Sequence, residues 1–351
     1  MNDQSVELLV QQLSRIQGNC LIVADENWAT ASWHSVARAG SSSRALYSNR
    51  YEIAESAKQA GIETCFNDFD FSAHAPASFD HILFRVSKER PVSHHIINQA
   101  SVLLKPEGQL LLSGEKSDGV KTYAAHACKL FGDRCKPQKN GNYYLAIITK
   151  YAVSDKLLDD KNYLKLRPLK STVELPLQSK PGIFGWNKID QGSAFLIEHL
   201  PTFLQSFAAG KAPQSVLDLG CGYGYLSCAA SLHGFQQITA TDNNAAALRA
   251  CAENFDRLNI NGNIIAGDAG SQLNKKFDAI ICNPPFHQGF NIDSALTEKF
   301  LNASKRLLAP SGKALFVVNN FIALEKKAKD YFSDVEEVAR SGSFKLIRAS
   351  R

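Results

Sequence analysis

The chain carries one pattern of segments twice, and a pattern that recurs at this spacing commits a chain to two copies of one fold. Phe79-Asp80-His81-Ile82-Leu83-Phe84 is mirrored by Phe277-Asp278-Ala279-Ile280-Ile281-Cys282. Ala100-Ser101-Val102-Leu103-Leu104-Lys105-Pro106-Glu107-Gly108 is mirrored by Ala303-Ser304-Lys305-Arg306-Leu307-Leu308-Ala309-Pro310-Ser311-Gly312. An apolar run follows each, Gln109 to Leu112 and Lys313 to Val318, and the early run Cys20-Leu21-Ile22-Val23 parallels Val216 to Leu219. Continuous apolar runs interleaved with helical stretches read as strands of a mostly parallel sheet, buried on both faces. The fold class expected is α/β, built as two tandem Rossmann-like domains. The first is expected over 1–150 and the second over 181–351. A linker is expected over 151–180, where Tyr151 to Leu177 mixes charges with Pro168 and Pro176 and shows no sustained periodicity.

The second copy holds the chemistry. Ser215-Val216-Leu217 runs into Asp218-Leu219-Gly220-Cys221-Gly222-Tyr223-Gly224, and Tyr225 to Leu232 then reads as an apolar helix. Glycines at 220, 222 and 224 let a backbone turn tightly and approach a ligand. Their G-x-G-x-G spacing differs from the dinucleotide fingerprint, which places a pyrophosphate on a helix N-terminus. S-adenosylmethionine has no pyrophosphate, so it suits a loop of this different form. Gln237-Ile238-Thr239-Ala240-Thr241 then ends at Asp242, about twenty residues on, where such folds set an acid against ribose hydroxyls. The competing reading makes Asp242 the N-cap of the helix that follows. Asn263 to Gly267 forms a third short strand before Asp268 and Ala269, expected at the adenine end.

The strand Phe277 to Cys282 leads into Asn283-Pro284-Pro285-Phe286. A base's exocyclic amine is a weak nucleophile because its lone pair is delocalised into the ring. The Asn283 side-chain carbonyl and the Pro284 backbone carbonyl could accept from that amine, while two prolines stiffen the backbone that aims them. Phe286 would stack on the base. Read alone, this tetrapeptide is a rigid turn with a core aromatic; the glycine loop and two acid-ended strands before it favour the chemical reading.

In the first copy Ala24-Asp25-Glu26-Asn27 stands where the glycines would be, and Arg85-Val86-Ser87-Lys88 where the Asn-Pro-Pro-Phe would be. That copy is expected to be catalytically silent and to hold RNA or steady its neighbour, with Arg85, Lys88 and Arg90 as candidate phosphate contacts. Two further basic clusters, Lys129, Arg134, Lys136, Lys139 and Arg340, Lys345, Arg348, Arg351, fit the same role or a solvated surface equally well. The formal net charge of +5 permits nucleic-acid binding without requiring it.

Eight cysteines contain no C-x-x-C pair, and neither they nor the nine histidines form a ligand pattern, so no metal is expected and a reducing cytoplasm is. Cys221 and Cys282 read as small buried fillers. No run approaches a membrane span, and the start lacks the regions of a signal peptide.

Lys180-Pro181-Gly182-Ile183-Phe184 leads toward Asp190-Gln191-Gly192-Ser193, a turn with aromatics that could cover a cofactor or base, or staple the next helix. This P-G-[VI]-F…D-x-G-[ST] segment, then D-x-G-C-G-x-G and N-P-P-F, on two tandem methyltransferase-like domains with a degenerate first, resembles the ribosomal RNA small subunit methyltransferase C family over nearly the whole length. The resemblance implies S-adenosylmethionine as cofactor, methyl transfer to the N2 amine of a guanine in 16S rRNA, the assembled small ribosomal subunit as partner and a monomeric enzyme. It matches Pro181, Gly182, Phe184, Asp190 and Gly192, then Asp218, Gly220, Gly222 and Gly224, then Asn283 to Phe286, with Phe184 and Phe286 toward substrate. Alternatives remain at this stage. A sister enzyme acts on guanine N2 of large-subunit RNA. The same tetrapeptide serves adenine, cytosine and glutamine amines. A non-catalytic RNA-binding factor and a nicotinamide oxidoreductase are the readings from other classes.

Overall fold

The computed structural model describes residues 3–40, 43–169, 175–208, 212–284, 287–288, 291–292 and 294–351. The chain divides into two compact units, Met1–Lys165 and Leu166–Arg351. The first unit's sheet has strands β1 (Asn19–Ala24), β2 (Ser43–Ser48), β3 (Glu63–Phe66), β4 (Phe79–Arg85), β5 (Leu104–Glu115), β6 (Gln138–Asn140) and β7 (Tyr143–Thr149), in the order β3-β2-β1-β4-β5-β7-β6. The second has β8 (Ser215–Leu219), β9 (Gln237–Asp242), β10 (Gly262–Ala266), β11 (Phe277–Cys282), β12 (Leu308–Asn319), β13 (Asp334–Arg340) and β14 (Phe344–Ser350), in the order β10-β9-β8-β11-β12-β14-β13. The two orders are the same, and in both the first five strands are parallel and the last two antiparallel.

Because side chains alternate across a strand, each sheet feeds two apolar clusters. In the first unit Leu21, Val23 and Phe84 pack on one side and Cys20, Ile22 and Leu83 on the other. The second unit divides Val216 and Ile281 from Leu217, Leu219 and Ile280 in the same way. The long strands β5 and β12 bury the same positions in the same sequence, residue by residue, and so do β7 and β14. The likeness between the halves is therefore one of environment as well as order. Among the described residues no helix is long and apolar enough to cross a membrane.

The repeated Phe-Asp pair has a structural reason. The register of β4 on β5 shifts between Phe79 and His81, and that of β11 on β12 shifts between Phe277 and Ala279. Each bulge turns its aspartate toward the start of the central strand. Asp80 accepts from the Asn19 amide at 2.8 Å, and Asp278 accepts from the Ser215 amide at 3.0 Å.

Strand register then aligns the halves. Ile22 lies between Leu46 and Leu83 as Asp218 lies between Ala240 and Ile281. By the same ladders Ser48 is the counterpart of Asp242, Asp68 that of Asp268, and Arg85 that of Asn283. The loop entering Asp68 and Asp268 repeats as well, since Phe69 and Ala269 both take positive φ, 51° and 45°.

Residues 151–165 are tied to the first unit. Leu158 exchanges two hydrogen bonds with the Asn98 side chain, at 2.8 and 2.9 Å, and Tyr163 is fully buried with its hydroxyl on Asp68. Further on, Gln178 exchanges backbone bonds of 2.7 and 2.9 Å with Asn254 within the second unit. Side-chain amides satisfying backbone groups hold both stretches, the second of which also carries a short antiparallel pair, Arg167–Pro168 with Gln178–Ser179.

Candidate active site

In a doubly wound sheet ligands bind where strand order reverses, at the carboxyl ends of the strands. In the second unit that point lies between β8 and β11, so the glycine loop after β8 and Asn283 after β11 flank one crevice. Asp242 ends β9 and Asp268 follows β10 on the same edge. From β10 to β11 is three strand spacings, about 14 Å, the scale of an extended nucleoside with an amino-acid tail.

All three loop glycines have positive φ: 83° at Gly220, 54° at Gly222 and 86° at Gly224. A Cβ at Gly224 would lie 2.7 Å from the Cys251 sulfur, and one at Gly220 would lie 3.3 Å from the Phe300 ring. A Cβ at Gly222 would meet no described atom within 4 Å, so this glycine presents bare backbone to the crevice. The amides of Gly220 and Cys221 donate to the Thr241 carbonyl at 2.9 and 3.0 Å, and that of Gly222 to Asp242 Oδ2 at 2.9 Å. The loop is thereby stitched to β9.

Asp218 lies beneath this loop, fully buried. Its Oδ2 accepts from the Ser227 amide at 2.9 Å and the Ser227 hydroxyl at 2.7 Å, fixing the start of the helix Tyr225–Ala230. Burial pushes its carboxyl up to about 7 against the pull of those two bonds. Asp218 shapes the loop from below and has no surface for direct ligand contact.

Asp242 is half-buried, and its Oδ1 accepts from the Asn244 amide at 2.8 Å. The N-cap of the helix Ala245–Arg257 is Asn244, whose side chain accepts from the Ala246 amide at 2.9 Å. The simple capping role therefore falls to Asn244, leaving Asp242 at the crevice. Asp268 forms an ion pair with Lys299 of the helix Ser294–Leu307, beside the left-handed Ala269.

Asn283 is half-buried, and its amide nitrogen donates to Asp190 Oδ2 at 2.7 Å and to the Ser193 hydroxyl at 2.8 Å. An ionised carboxylate only accepts, which settles which end of the amide faces Asp190. The carbonyl oxygen is turned the other way. Asp190 also N-caps the helix Gln191–Glu198 by accepting from the Ser193 amide at 2.8 Å. Nothing in the sequence reading assigned Asp190 and Ser193 to this contact. Pro284 is buried; Pro285 and Phe286 lie outside the described residues.

Phe184 is 74% exposed, although the adjoining Ile183 is buried, and the Gly182 carbonyl before them accepts from Asn244 at 2.9 Å. The turn is thus moored next to Asp242 while its aromatic faces outward. Arg85 differs from the expected phosphate contact. It is 4% exposed and paired with Asp118 at 2.8 Å and Asp3 at 3.1 Å, so two carboxylates already neutralise it away from solvent. Lys88 is exposed.

The two basic clusters also part ways. Arg340, Lys345 and Arg348 are bound by Glu337, Glu325 and Glu336. Lys129, Arg134, Lys136 and Lys139 are all exposed and have no ion pair with the described residues. A hydrogen bond with Cys251, together with burial, pushes the Cys221 thiol well above its ordinary range, and burial does the same at Cys282. Neither is a nucleophile near neutrality. Among the described residues no group of three or more His, Cys, Asp or Glu could hold a metal ion.

The family model of the methyltransferase small domain matches residues 174–348, and that of its N-terminal companion matches 6–139. The ribosomal RNA small subunit methyltransferase C of Psychromonas ingrahamii is 26% identical over 313 residues, covering 89% of this chain and 86% of that protein. That of Chromohalobacter salexigens is 34% identical over 175 residues, half of each chain. A Thermus thermophilus 16S rRNA guanine-N2 methyltransferase, solved with AdoMet and guanosine, has the same fold, with TM-score 0.84 over 99% of this chain and 92% of that one at 20% identity. With both of its units matched by the paired domain models and its length spanned by such relatives, the chain belongs to the ribosomal RNA small subunit methyltransferase C family.

Proposed function

We propose that the protein transfers a methyl group from S-adenosylmethionine to the exocyclic N2 of a guanine in 16S rRNA, on the assembled small subunit. The observation that carries this reading is the orientation of Asn283: both hydrogens of its amide are spent on Asp190 and Ser193, so its carbonyl faces away as an acceptor at the crevice mouth. An acceptor there suits an amine that must be held by its own hydrogens. The relatives' names and the AdoMet and guanosine bound by the structural neighbour supply the substrate class.

The residues fit the cofactor. Gly222 offers a backbone approach that a Cβ would obstruct, and Asp242 sets a carboxylate beside it for ribose hydroxyls. Asp268 and Ala269 stand at the adenine end. When bound, S-adenosylmethionine supplies an electrophilic methyl on its sulfonium. Asn283, with the Pro284 carbonyl, draws the N2 hydrogens to one side and exposes the nitrogen lone pair toward that methyl. The bound cofactor would supply this methyl and leave as a neutral thioether, and the N2 proton would pass to water, with Asn283 and the Pro284 carbonyl holding the amine throughout. No strong base is required, and positioning provides most of the rate. Phe184, exposed on the turn that Asn244 holds through the Gly182 carbonyl, and Phe286 stack on the target base.

All of these residues belong to the second unit, which suits an enzyme acting as a monomer, and its free cysteines suit the reducing cytoplasm. The first unit contributes phosphate contacts through its exposed basic residues. The test is incubation with labelled S-adenosylmethionine and, separately, unmodified small subunits, large subunits and naked ribosomal RNAs, followed by nucleoside mass spectrometry. N2-methylguanosine from small-subunit RNA is expected; label confined to large-subunit RNA would move the protein to the sister activity.

A further inference from the structure

We infer that Asp190 and Ser193 are positioning residues that lock the side-chain amide of Asn283, and with it the direction in which the acceptor amine is presented. The inference rests on the role of Asn283 proposed above. A side-chain amide held by a single bond can exchange its oxygen and nitrogen by rotation about its last torsion. At this site that exchange would set an NH2 group against the substrate's NH2, donor against donor. Two acceptors, Asp190 Oδ2 at 2.7 Å and Ser193 Oγ at 2.8 Å, engage both amide hydrogens at once and forbid it.

The surrounding residues serve the same geometry. A Cβ on Gly192 would lie 3.0 Å from Asp190 Oδ2 and 3.1 Å from the Phe344 ring, so a side chain there would press on the oxygen that grips Asn283. The Ser193 amide is itself bound by Asp190 Oδ2 at 2.8 Å, which places the serine hydroxyl on the same side as the carboxylate. Asp190, Gly192 and Ser193 therefore form one device.

The first unit separates what is structural in this device from what is particular to the site. Asp3 caps the helix Gln4–Leu13, accepting from the Ser5 and Val6 amides at 2.8 and 3.2 Å, as Asp190 caps its own helix. Its second oxygen accepts from Arg85 Nε at 3.1 Å, and Arg85 is the counterpart of Asn283. A carboxylate gripping the end of the fourth strand is thus common to both halves. The hydroxyl from the same helix start is not, because Asp3-Gln4-Ser5-Val6 runs parallel to Asp190-Gln191-Gly192-Ser193 and Val6 has none; the other partner of Arg85 is the Asp118 carboxylate. Ser193 completes the lock only where an amide has to be oriented.

The test compares Ser193→Ala, Ser193→Thr, Asp190→Asn and Asn283→Ala, and the double variant of Ser193→Ala with Asn283→Ala, in the labelled-methyl assay with wild type as control. Calorimetry gives the affinity for S-adenosylmethionine, and thermal unfolding reports the fold. Ser193→Ala is expected to lower kcat on the order of 10- to 100-fold with cofactor affinity and melting temperature unchanged. Ser193→Thr should recover most of that loss. Asp190→Asn, which keeps an acceptor oxygen for the cap but adds a competing donor, should also lower kcat. In the Asn283→Ala background Ser193→Ala should cost nothing further, because there is no amide left to orient. Wild-type kcat in Ser193→Ala, or an equal loss with and without Asn283, would overturn the inference. A wild type that yields a methylated amine other than N2-methylguanosine would refute the proposed substrate while leaving these ratios to decide the role of Ser193.

Discussion

Tyr163 donates its hydroxyl to the Asp68 carboxylate at 2.8 Å, and Asp68 is the first unit's counterpart of Asp268. Phe69, the counterpart of Ala269, is fully buried, and so is Tyr163, whose ring lies 4.7 Å from that of His95. At the next strand end Glu26 forms a 2.9 Å ion pair with Arg50, close to Ser48, the counterpart of Asp242. At the ends of β2 and β3 the first unit has therefore set its own side chains where the second unit keeps Asp242, Asp268 and Ala269. Loss of the glycines is one part of its degeneration and this internal occupation is another.

One molecule of S-adenosylmethionine per chain is the expected stoichiometry, measured by titration calorimetry. Tyr163→Phe should leave it at one, because Phe69 and the Glu26–Arg50 pair still occupy the first unit. The same variant should lower stability by about 1–3 kcal/mol, since a buried carboxylate loses a donor. Two binding events in the wild type would contradict the account of the first unit.

Asp242→Ala should weaken S-adenosylmethionine binding on the order of 10- to 100-fold, the loss of hydrogen bonds between a carboxylate and ribose hydroxyls. Asp242 also accepts from the Gly222 and Asn244 amides, so part of the loss would come from a loosened glycine loop. Asp242→Asn keeps an acceptor for one of those amides and should fall between the two. Calorimetry on folded protein checks both variants, and an unchanged affinity in Asp242→Ala would remove the ribose role.

The parts of the site that lie in one stretch of chain were legible in the sequence. Glycines at 220, 222 and 224 announce positive φ because few other residues adopt it, and the shared Phe-Asp segments announce matching strands, although their bulges emerge only from the register. What escaped were contacts between elements far apart in the chain. Asp190 meets Asn283 across ninety-three positions, and Arg85 meets Asp3 across eighty-two. Arg85 read as a phosphate contact because a basic residue near a strand end looks the same in sequence whether solvent or two acids surround it. One signal was present: Asp3-Gln4-Ser5 and Asp190-Gln191-Gly192 each open a helix before a matching sheet, which extends the repeat to the chain's first residues. The Lys299–Asp268 pair left no comparable trace, because it depends on how one helix face packs beside a loop.

Asp218 gives the second unit a pH dependence of determinate sign. Burial raises its folded carboxyl to about 7 from an ordinary 3.8, so between those values the folded state holds a proton that the unfolded state has released. Stability from this group is complete at pH values below the unfolded pKa and is lost as pH rises through the folded one. Asp25 in the first unit is raised to about 7 as well, by burial and then by the charge of Glu26, and acts in the same direction. The melting temperature should fall between pH 5 and pH 8, and Asp218→Asn should flatten only part of that fall. Thermal unfolding across the range checks this, and identical pH slopes for the two proteins would sink it.

The exposed basic segment of the first unit should account for a measurable share of the salt sensitivity of RNA binding. Arg134, Lys136 and Lys139 run from the end of the helix Val120–Phe131 into the short strand β6, and no described carboxylate pairs with them. A cation that is not already neutralised releases counterions from RNA on binding, at roughly 0.7 unit of the log–log salt slope per contact for single strands. Replacing all three by alanine should therefore weaken binding to small subunits and reduce the slope by about 2. Arg340 and Arg348 are equally basic in the sequence, but Glu337 and Glu336 hold them. Arg340→Ala with Arg348→Ala should leave the slope nearly unchanged, so filter binding across a salt series separates the two surfaces. A triple variant with the wild-type slope would show that the RNA lies elsewhere.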